Sequence, residues 1–196
     1  MEGDMVRPEV WILRLGHRIF RDKRITTHLA LAARSLGAKG IFIQGDQDEK
    51  LRAGIQEVVE NWGGHFKVEF VTDWQAMIKK WKDEGSSIVH LTMYGLPFEK
   101  YIDEVRKDKS RILLMAGGKK VPREAYQLAD LNLAVTGQPH SEISAVSLFL
   151  DRLYEGKELE LRFENPKFVI APSPRGKVLL RRADEKKART KSTSNV

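Results

Sequence analysis

The sequence predicts an α/β fold, with a mostly parallel sheet covered by helices on both faces, and three observations predict it. Short apolar runs alternate from end to end with longer stretches in which apolar residues recur every three to four positions. Most of these runs are apolar almost throughout, which is how strands buried on both faces read. Several run into glycine-bearing loops, MAGG and AVTG among them, and such loops lie where an open parallel sheet collects its ligands. A chain of 196 residues with 41% apolar content can bury one sizeable core of this kind plus a small appendage.

VWILRL, the first run, reads as a buried strand. A basic loop, GHRIFRDKR, follows it and leads to a helix expected to open at Thr26 or Thr27. Leu29, Ala32, Ala33 and Leu36 share one face of that helix, and Gly37 can cap it in the left-handed region. GIFIQG is the second strand, residues 46–62 read as a helix, and Gly63 and Gly64 break it. FKVEFV alternates as a third strand, and another helix begins over Trp74 to Trp81. SSIVHLTMYG is a strand running into a Gly-Pro loop, residues 98–107 are helical, and RILLMAGG is a strand ending in two glycines. A short helix over 122–129, a strand at LNLAV and a long helix over 141–154 complete the unit.

After Gly156 the rhythm changes. ELELRFE, KFVIAP and GKVLLR are short and extended, and SPRG between the last two predicts an antiparallel hairpin. Past Arg182 the chain is too polar to bury a core of its own. The expected organisation is a main domain over 1–156, a β extension over 157–182 and a disordered basic tail over 183–196. No internal repeat is present.

With no cysteine, disulfides, thiolate metal sites and cysteine nucleophiles are excluded. No apolar run is long enough to cross a bilayer and the first residues lack a signal-peptide core, so a soluble, cytoplasmic protein is expected, without a membrane partner. Signatures of dinucleotide binding, phosphate loops, zinc proteases and serine hydrolases are missing. The five histidines are scattered without companions at ligand spacing, which predicts no metal. The net charge of +7 is clustered: Arg14, Arg18, Arg21, Lys23 and Arg24 face only Asp22, and the six basic residues from Arg181 onward face only Asp184 and Glu185. Such clusters suit a polyanion, because neutralised phosphates release their counterions. Trp62, Trp74 and Trp81 are assigned to the core rather than to base stacking.

Three loops at strand ends carry the candidate chemistry: HLTMYGLP, MAGGKKVP and VTGQPHSE. Gly117 and Gly118 allow close backbone approach. Pro122 suits a first helical turn, and Ser141 suits an N-cap ahead of Glu142.

Read together, RLGHRIFRDKRITTH, MAGGKKVPREAYQLADLNLAVTGQPHSEISA and HLTMYG closely resemble the archaeal tRNA cytidine-56 2′-O-ribose methyltransferase family of the SPOUT superfamily. The resemblance spans roughly residues 9–182. It implies a homodimer, a C-terminal trefoil knot and S-adenosylmethionine as cofactor, with tRNA as partner. It assigns the cofactor pocket to Leu91, to Gly117, Gly118, Lys119, Lys120 and Val121, and to Val135, Thr136, Gly137, Gln138, Pro139, His140, Ser141 and Glu142. Many ribose methyltransferases of this superfamily carry an asparagine and arginine pair in the first motif and a glutamate after the glycine of the second. Here RDKRITTH stands in the first and Lys119 follows Gly118, so Arg21 and Arg24 are both candidates for the catalytic arginine. His28 and Glu142 are candidates for accepting the hydroxyl proton. Two other readings of the same residues stand beside this one: a non-enzymatic RNA-binding module, and an α/β enzyme acting on a small nucleotide metabolite.

Overall fold

A computed structural model describes residues 8–108, 111–118 and 120–182. β1 (Glu9–His17) is the centre of the sheet, and its buried residues divide between two packed layers: Val10 and Ile12 on one side, Leu13 and Leu15 on the other. From it the chain runs outward through α1 (Ile19–Ser35), β2 (Gly40–Gly45), α2 (Glu49–Trp62) and β3 (Lys67–Val71). It then returns through α3 (Trp74–Asp83) to β4 (Ser87–Pro97). A 3₁₀ turn (Phe98–Lys100) and α4 (Ile102–Asp108) lead to β5 (Arg111–Gly117), which inserts between β1 and β4. α5 (Arg123–Leu128), β6 (Leu131–Ala134) and α6 (Glu142–Tyr154) follow. The strand order is β3-β2-β1-β5-β4-β6, and every pairing in that sheet is parallel. Helices cover both faces: α1, α2, α4 and α6 over one, α3 and α5 over the other.

The helix after β1 begins at Ile19, not at Thr26 or Thr27. Nothing in Ile19–Arg24 breaks a helix, Asp22 lies in its first turn, and the Ile19 amide donates to Asp46 Oδ2 at 3.0 Å. The supposed basic loop is therefore the first turns of a 17-residue helix, which sets its side chains at helical spacing. Gly37 does take the left-handed conformation after the helix, at φ 91°. Residues 157–160, expected to be extended, form a 3₁₀ turn instead. Glu155 and Gly156 are both left-handed there, and the turn folds back with Glu158 buried.

Past that turn, β7 (Phe168–Ala171) and β8 (Val178–Arg181) pair antiparallel. The extension is docked on the α2 end. Gly64 N–H donates to Glu164 O at 2.8 Å, Lys167 N–H donates to Asn61 O at 3.0 Å, and Arg34 donates to Gly63 O while lying over the Phe163 ring. A Cβ on Gly63 would fall 2.3 Å from Glu164 O, so only glycine allows this approach. Trp74 and Trp81 are core residues, Trp81 packing with Trp11 and Phe42, whereas Trp62 meets Phe168 of the extension. Lys119 and the tail over 183–196 lie outside the described residues. Among those described, no helix is long and apolar enough to cross a membrane.

Candidate active site

Strand order reverses between β1 and β5, because β2 and β3 lie to one side of β1 while the later strands lie to the other. At such a reversal the loops leaving adjacent strands part and open a crevice beyond the strands' carboxyl ends. A cavity of about 430 Å³ sits there, lined among others by Leu15, Gly16, His17, Arg18, Arg21, Gly45, Asp46, Gly118 and Lys120.

Its walls follow from local constraints. Gly16 turns β1 through φ 74°, and its amide donates to Gln44 Oε1 at 2.9 Å. Gly45 lets β2 end against β1: a Cβ there would lie 2.1 Å from His17 O. Asp46 N–H then donates to His17 O at 2.9 Å. These contacts bring the first turn of α1 to the cavity. Arg18 and Arg21 reach it half-exposed, both held from below by buried Asp22, with Nε–O distances of 3.6 and 3.0 Å. His17 is wholly buried. Its Nδ1 lies 2.9 Å from Thr26 Oγ1 and its Nε2 lies 3.9 Å from Asp48 Oδ2. Burial pushes this imidazole below its ordinary range, with Asp48 acting in the opposite sense.

The three glycine-bearing loops leave β4, β5 and β6, which are neighbours in the sheet. In β4, Leu91 and Leu96 are both in register with Leu133, so Thr92–Gly95 is a four-residue excursion within the strand. Gly95 rests directly on the β6 backbone, where a Cβ would come 2.6 Å from Asn132 O. His90 behind it donates from Nδ1 to Asn132 Oδ1 at 2.8 Å, since Asn132 Nδ2 donates to Tyr126 O. The next loop folds back after β5, and Val121 covers Gly117. In the third, Val135 is half-buried and residues 136–140 are exposed. The backbone N–H groups of Thr136, Gly137, Gln138 and His140 find no hydrogen-bond partner among the described residues. Ser141 caps α6, its Oγ accepting from Ile143 N–H at 3.1 Å, and Glu142 opens the helix.

Of the four candidates for chemistry, the structure brings Arg21 to the cavity and Glu142 to its Gly118 wall. Arg24 and His28 are exposed farther along α1 and do not line it. Arg14, expected in the basic cluster that faces a polyanion, is instead 1% exposed and lies 3.6 Å from Glu142 Oε1, so the sequence reading missed it as a residue of the site. A signal was present: Val10, Ile12 and Arg14 share one face of β1, so the arginine occupies a core register. Asp22 and Asp48, also buried at this end, carried no such local sign. Among the described residues, no group of three or more His, Cys, Asp or Glu is placed to hold a metal.

Over residues 62–180 the chain matches the family model described as tRNA ribose 2′-O-methyltransferase, aTrm56. It is similar to the tRNA (cytidine(56)-2′-O)-methyltransferase of Methanopyrus kandleri, 50% identical over 172 residues, 88% of this chain and 96% of that protein. The same-named protein of Thermococcus kodakarensis is 48% identical over 179 residues, covering 89% of this chain and 98% of its own length. Among solved structures, the A. aeolicus TrmH/SpoU tRNA modifying enzyme superposes with a TM-score of 0.56 at 12% identity, covering 80% of this chain and 79% of that one. The SpoU methyltransferase AviRb from Streptomyces viridochromogenes, solved in complex with AdoMet, gives 0.53 at 13% identity, covering 80% and 59%. At such identities these two speak for the fold.

Proposed function

The chain belongs to the tRNA ribose 2′-O-methyltransferase family, and from that membership we propose how its own residues serve the reaction. It is an S-adenosylmethionine-dependent enzyme that methylates the 2′-hydroxyl of cytidine 56 in tRNA. One observation carries the assignment of residues: the cationic cavity and the glycine-bearing loops share Gly118 at the reversal of strand order.

The loop residues fit the cofactor. Gly118 presents a bare face, Thr136, Gly137, Gln138 and His140 offer backbone donors along a loop completed by Pro139, and Leu91, Val121 and Val135 add apolar contact. With Gly117, Lys119, Lys120, Ser141 and Glu142, these are the residues we assign to holding it. The bound group supplies a methyl already activated by its positive sulfur.

What remains for the protein is to align a poor nucleophile and take its proton. Alignment of bound reactants can remove roughly 7–11 kcal/mol of a barrier. We assign the cavity beside Gly118 to the target nucleotide, for which its volume is adequate. Arg18 and Arg21, steered by Asp22, would take the flanking phosphates together with Lys120. Glu142 is assigned as proton acceptor. With the methyl supplied by the bound group, Glu142 would take the proton that the 2′-hydroxyl gives up on being methylated. Arg24 and His28 are reassigned to the RNA backbone along α1, and no metal takes part.

A trefoil knot in the C-terminal part is supported by the insertion of β5 between β1 and β4 after both are in place. A homodimer in the cytoplasm is the working assembly. Phe20 and Ile25 on α1 and Leu148 on α6, exposed on helices of one sheet face, support a second copy docking there. The unit over 1–156 is then catalytic, and the β7–β8 extension with the basic tail adds grip on folded RNA.

The test is transfer of a labelled methyl to an unmodified tRNA transcript, followed by mapping. The expected product is 2′-O-methylcytidine at position 56, abolished when that ribose is 2′-deoxy. Label on a base, or label surviving the deoxy substitution, overturns the function.

A further inference from the structure

Arg14 is a charged side chain in a place built for an apolar one. It continues the row of Val10 and Ile12 on the β1 face covered by α1 and α6. The guanidinium is nearly sealed from water, at 1% exposure, and burial pushes its pKa down while Glu142 and Asp22 act in the opposite sense. Removing an arginine from water is expensive, and a buried ion pair is seldom more stabilising than apolar residues of the same volume. This pair is poorly closed even as ion pairs go. Nη1 donates to Leu15 O at 2.8 Å, Nη2 stands 3.6 Å from Glu142 Oε1, and Nε has no partner among the described residues. Stability alone does not account for a loose, buried cation at residue 14.

Its surroundings do. A Cβ on Gly118 would lie 3.4 Å from Glu142 Oε1 and 3.8 Å from Arg14 Nη2, so the pair forms the floor beneath that glycine. Glu142 itself is the first residue of α6, directly after the exposed third loop, and its side chain is 21% exposed. Without a partner, a glutamate at a helix N-terminus can swing out to solvent or back over the helix amides. Arg14, anchored on the central strand by its bond to Leu15 O, gives that carboxylate a fixed point.

Resting on the reading that Gly118 and Glu142 line the reaction pocket, we propose that Arg14 is a positioning residue for methyl transfer, holding the Glu142 carboxylate at the Gly118 wall where the ribose hydroxyl must surrender its proton. Arg14 acts through Glu142 and does not hold the cofactor. The arrangement predicts that the two residues behave as one unit.

The experiment measures kcat, KM for tRNA, Kd for S-adenosylmethionine by calorimetry and Tm for wild type, Arg14→Met, Arg14→Lys, Glu142→Gln and the Arg14→Met/Glu142→Gln double variant. Glu142→Gln should lower kcat about 100-fold and Arg14→Met about 30-fold, and Arg14→Met should move Kd for the cofactor less than about 3-fold. The double variant should be no slower than Glu142→Gln alone, and Arg14→Lys, which restores the charge without the planar fork, should recover part of the lost rate. Losses that multiply in the double variant, an Arg14→Met loss residing in cofactor Kd, or a kcat within twofold of wild type overturns the proposal. If Arg14→Met does not fold, Arg14→Lys decides: a lowered kcat at unchanged Kd and Tm supports the role, and an unchanged kcat overturns it. Wild type in the same assay keeps the two claims apart, since failure of wild type to methylate tRNA defeats the function itself.

Discussion

Tyr154 and Arg14 are both buried polar side chains beside β1, one near each end of the strand, and they are treated in opposite ways. At the amino end Tyr154 Oη donates to Pro8 O at 3.0 Å, and burial raises its phenol well above the ordinary range. Nearby, Arg106 closes the last turn of α6 by donating to Leu153 O at 3.1 Å and Arg152 O at 2.6 Å. At the carboxyl end, Arg14 Nε, His17 Nε2, Asp22 Oδ2 and Asp48 Oδ2 are all buried without a hydrogen bond among the described residues. A buried polar group left unpaired is costly, and such groups recur where a ligand or a reaction uses them. Unpartnered atoms occur at the amino end too, on Ser86, Arg111 and Glu158, but there they sit among contacts that tie the chain together, whereas at the carboxyl end they gather around the cavity.

Five substitutions break or sharpen that contrast. The largest effect belongs to Gly118→Val, which puts a branched side chain where the Cβ alone already meets Glu142 and Arg14. Methyl transfer should fall about 100-fold or more, while Tm should stay within about 2 °C of wild type. An equal collapse of Tm would mean that the carboxyl end is as tightly built as the other. Tyr154→Phe is the opposite probe: it strips the phenol donor from the Pro8 carbonyl and should cost about 2 kcal/mol in denaturant unfolding. Turnover at a permissive temperature should be unchanged, and a lowered kcat there would blur the division between the ends.

Next in size is the contrast of Arg21→Ala with Arg24→Ala. Arg21 lines the cavity under the hold of Asp22, so its loss should reduce kcat/KM for tRNA about tenfold and lower the salt slope of binding by about one phosphate contact. Arg24, exposed beyond the cavity, should cost less. The reverse ranking would move the RNA phosphates away from Gly118.

What could be read before folding also differs from residue to residue at the carboxyl end. Gly117, Gly118 and the VTGQPHSE segment were legible because a glycine or proline after an apolar run is a local sign, and the parallel sheet then gathers such ends on one edge. The start of α1 was misread because a dense basic run looks like a loop, although Ile19–Arg24 contains no breaker. His17 and Asp48 are 31 positions apart and meet only because β1 and β2 pair in register, with Trp11 opposite Gly40. Arg14 was visible as an arginine in a core register, but its partner Glu142 lies 128 positions away. Periodicity carries no information about which strand inserts beside β1, so that juxtaposition stayed hidden.

Glu158 is a charged exception at the amino end, and it yields the smallest effect. It is buried beside Asp151 on the 3₁₀ turn after α6, and burial raises its pKa above the ordinary carboxylate range, with Asp151 acting in the same sense. A carboxyl whose folded pKa is raised contributes stability that is fully present below its unfolded value and is lost as pH rises through the folded one. Glu158→Gln removes the ionisation but keeps the shape and one carbonyl oxygen. The variant should therefore match wild type in Tm at pH 4 and exceed it by a few degrees at pH 8, with methyl transfer unaffected. A gain at pH 4 equal to that at pH 8 would trace the effect to packing rather than to buried charge. A drop in methyl transfer would show that the amino end communicates with the carboxyl end.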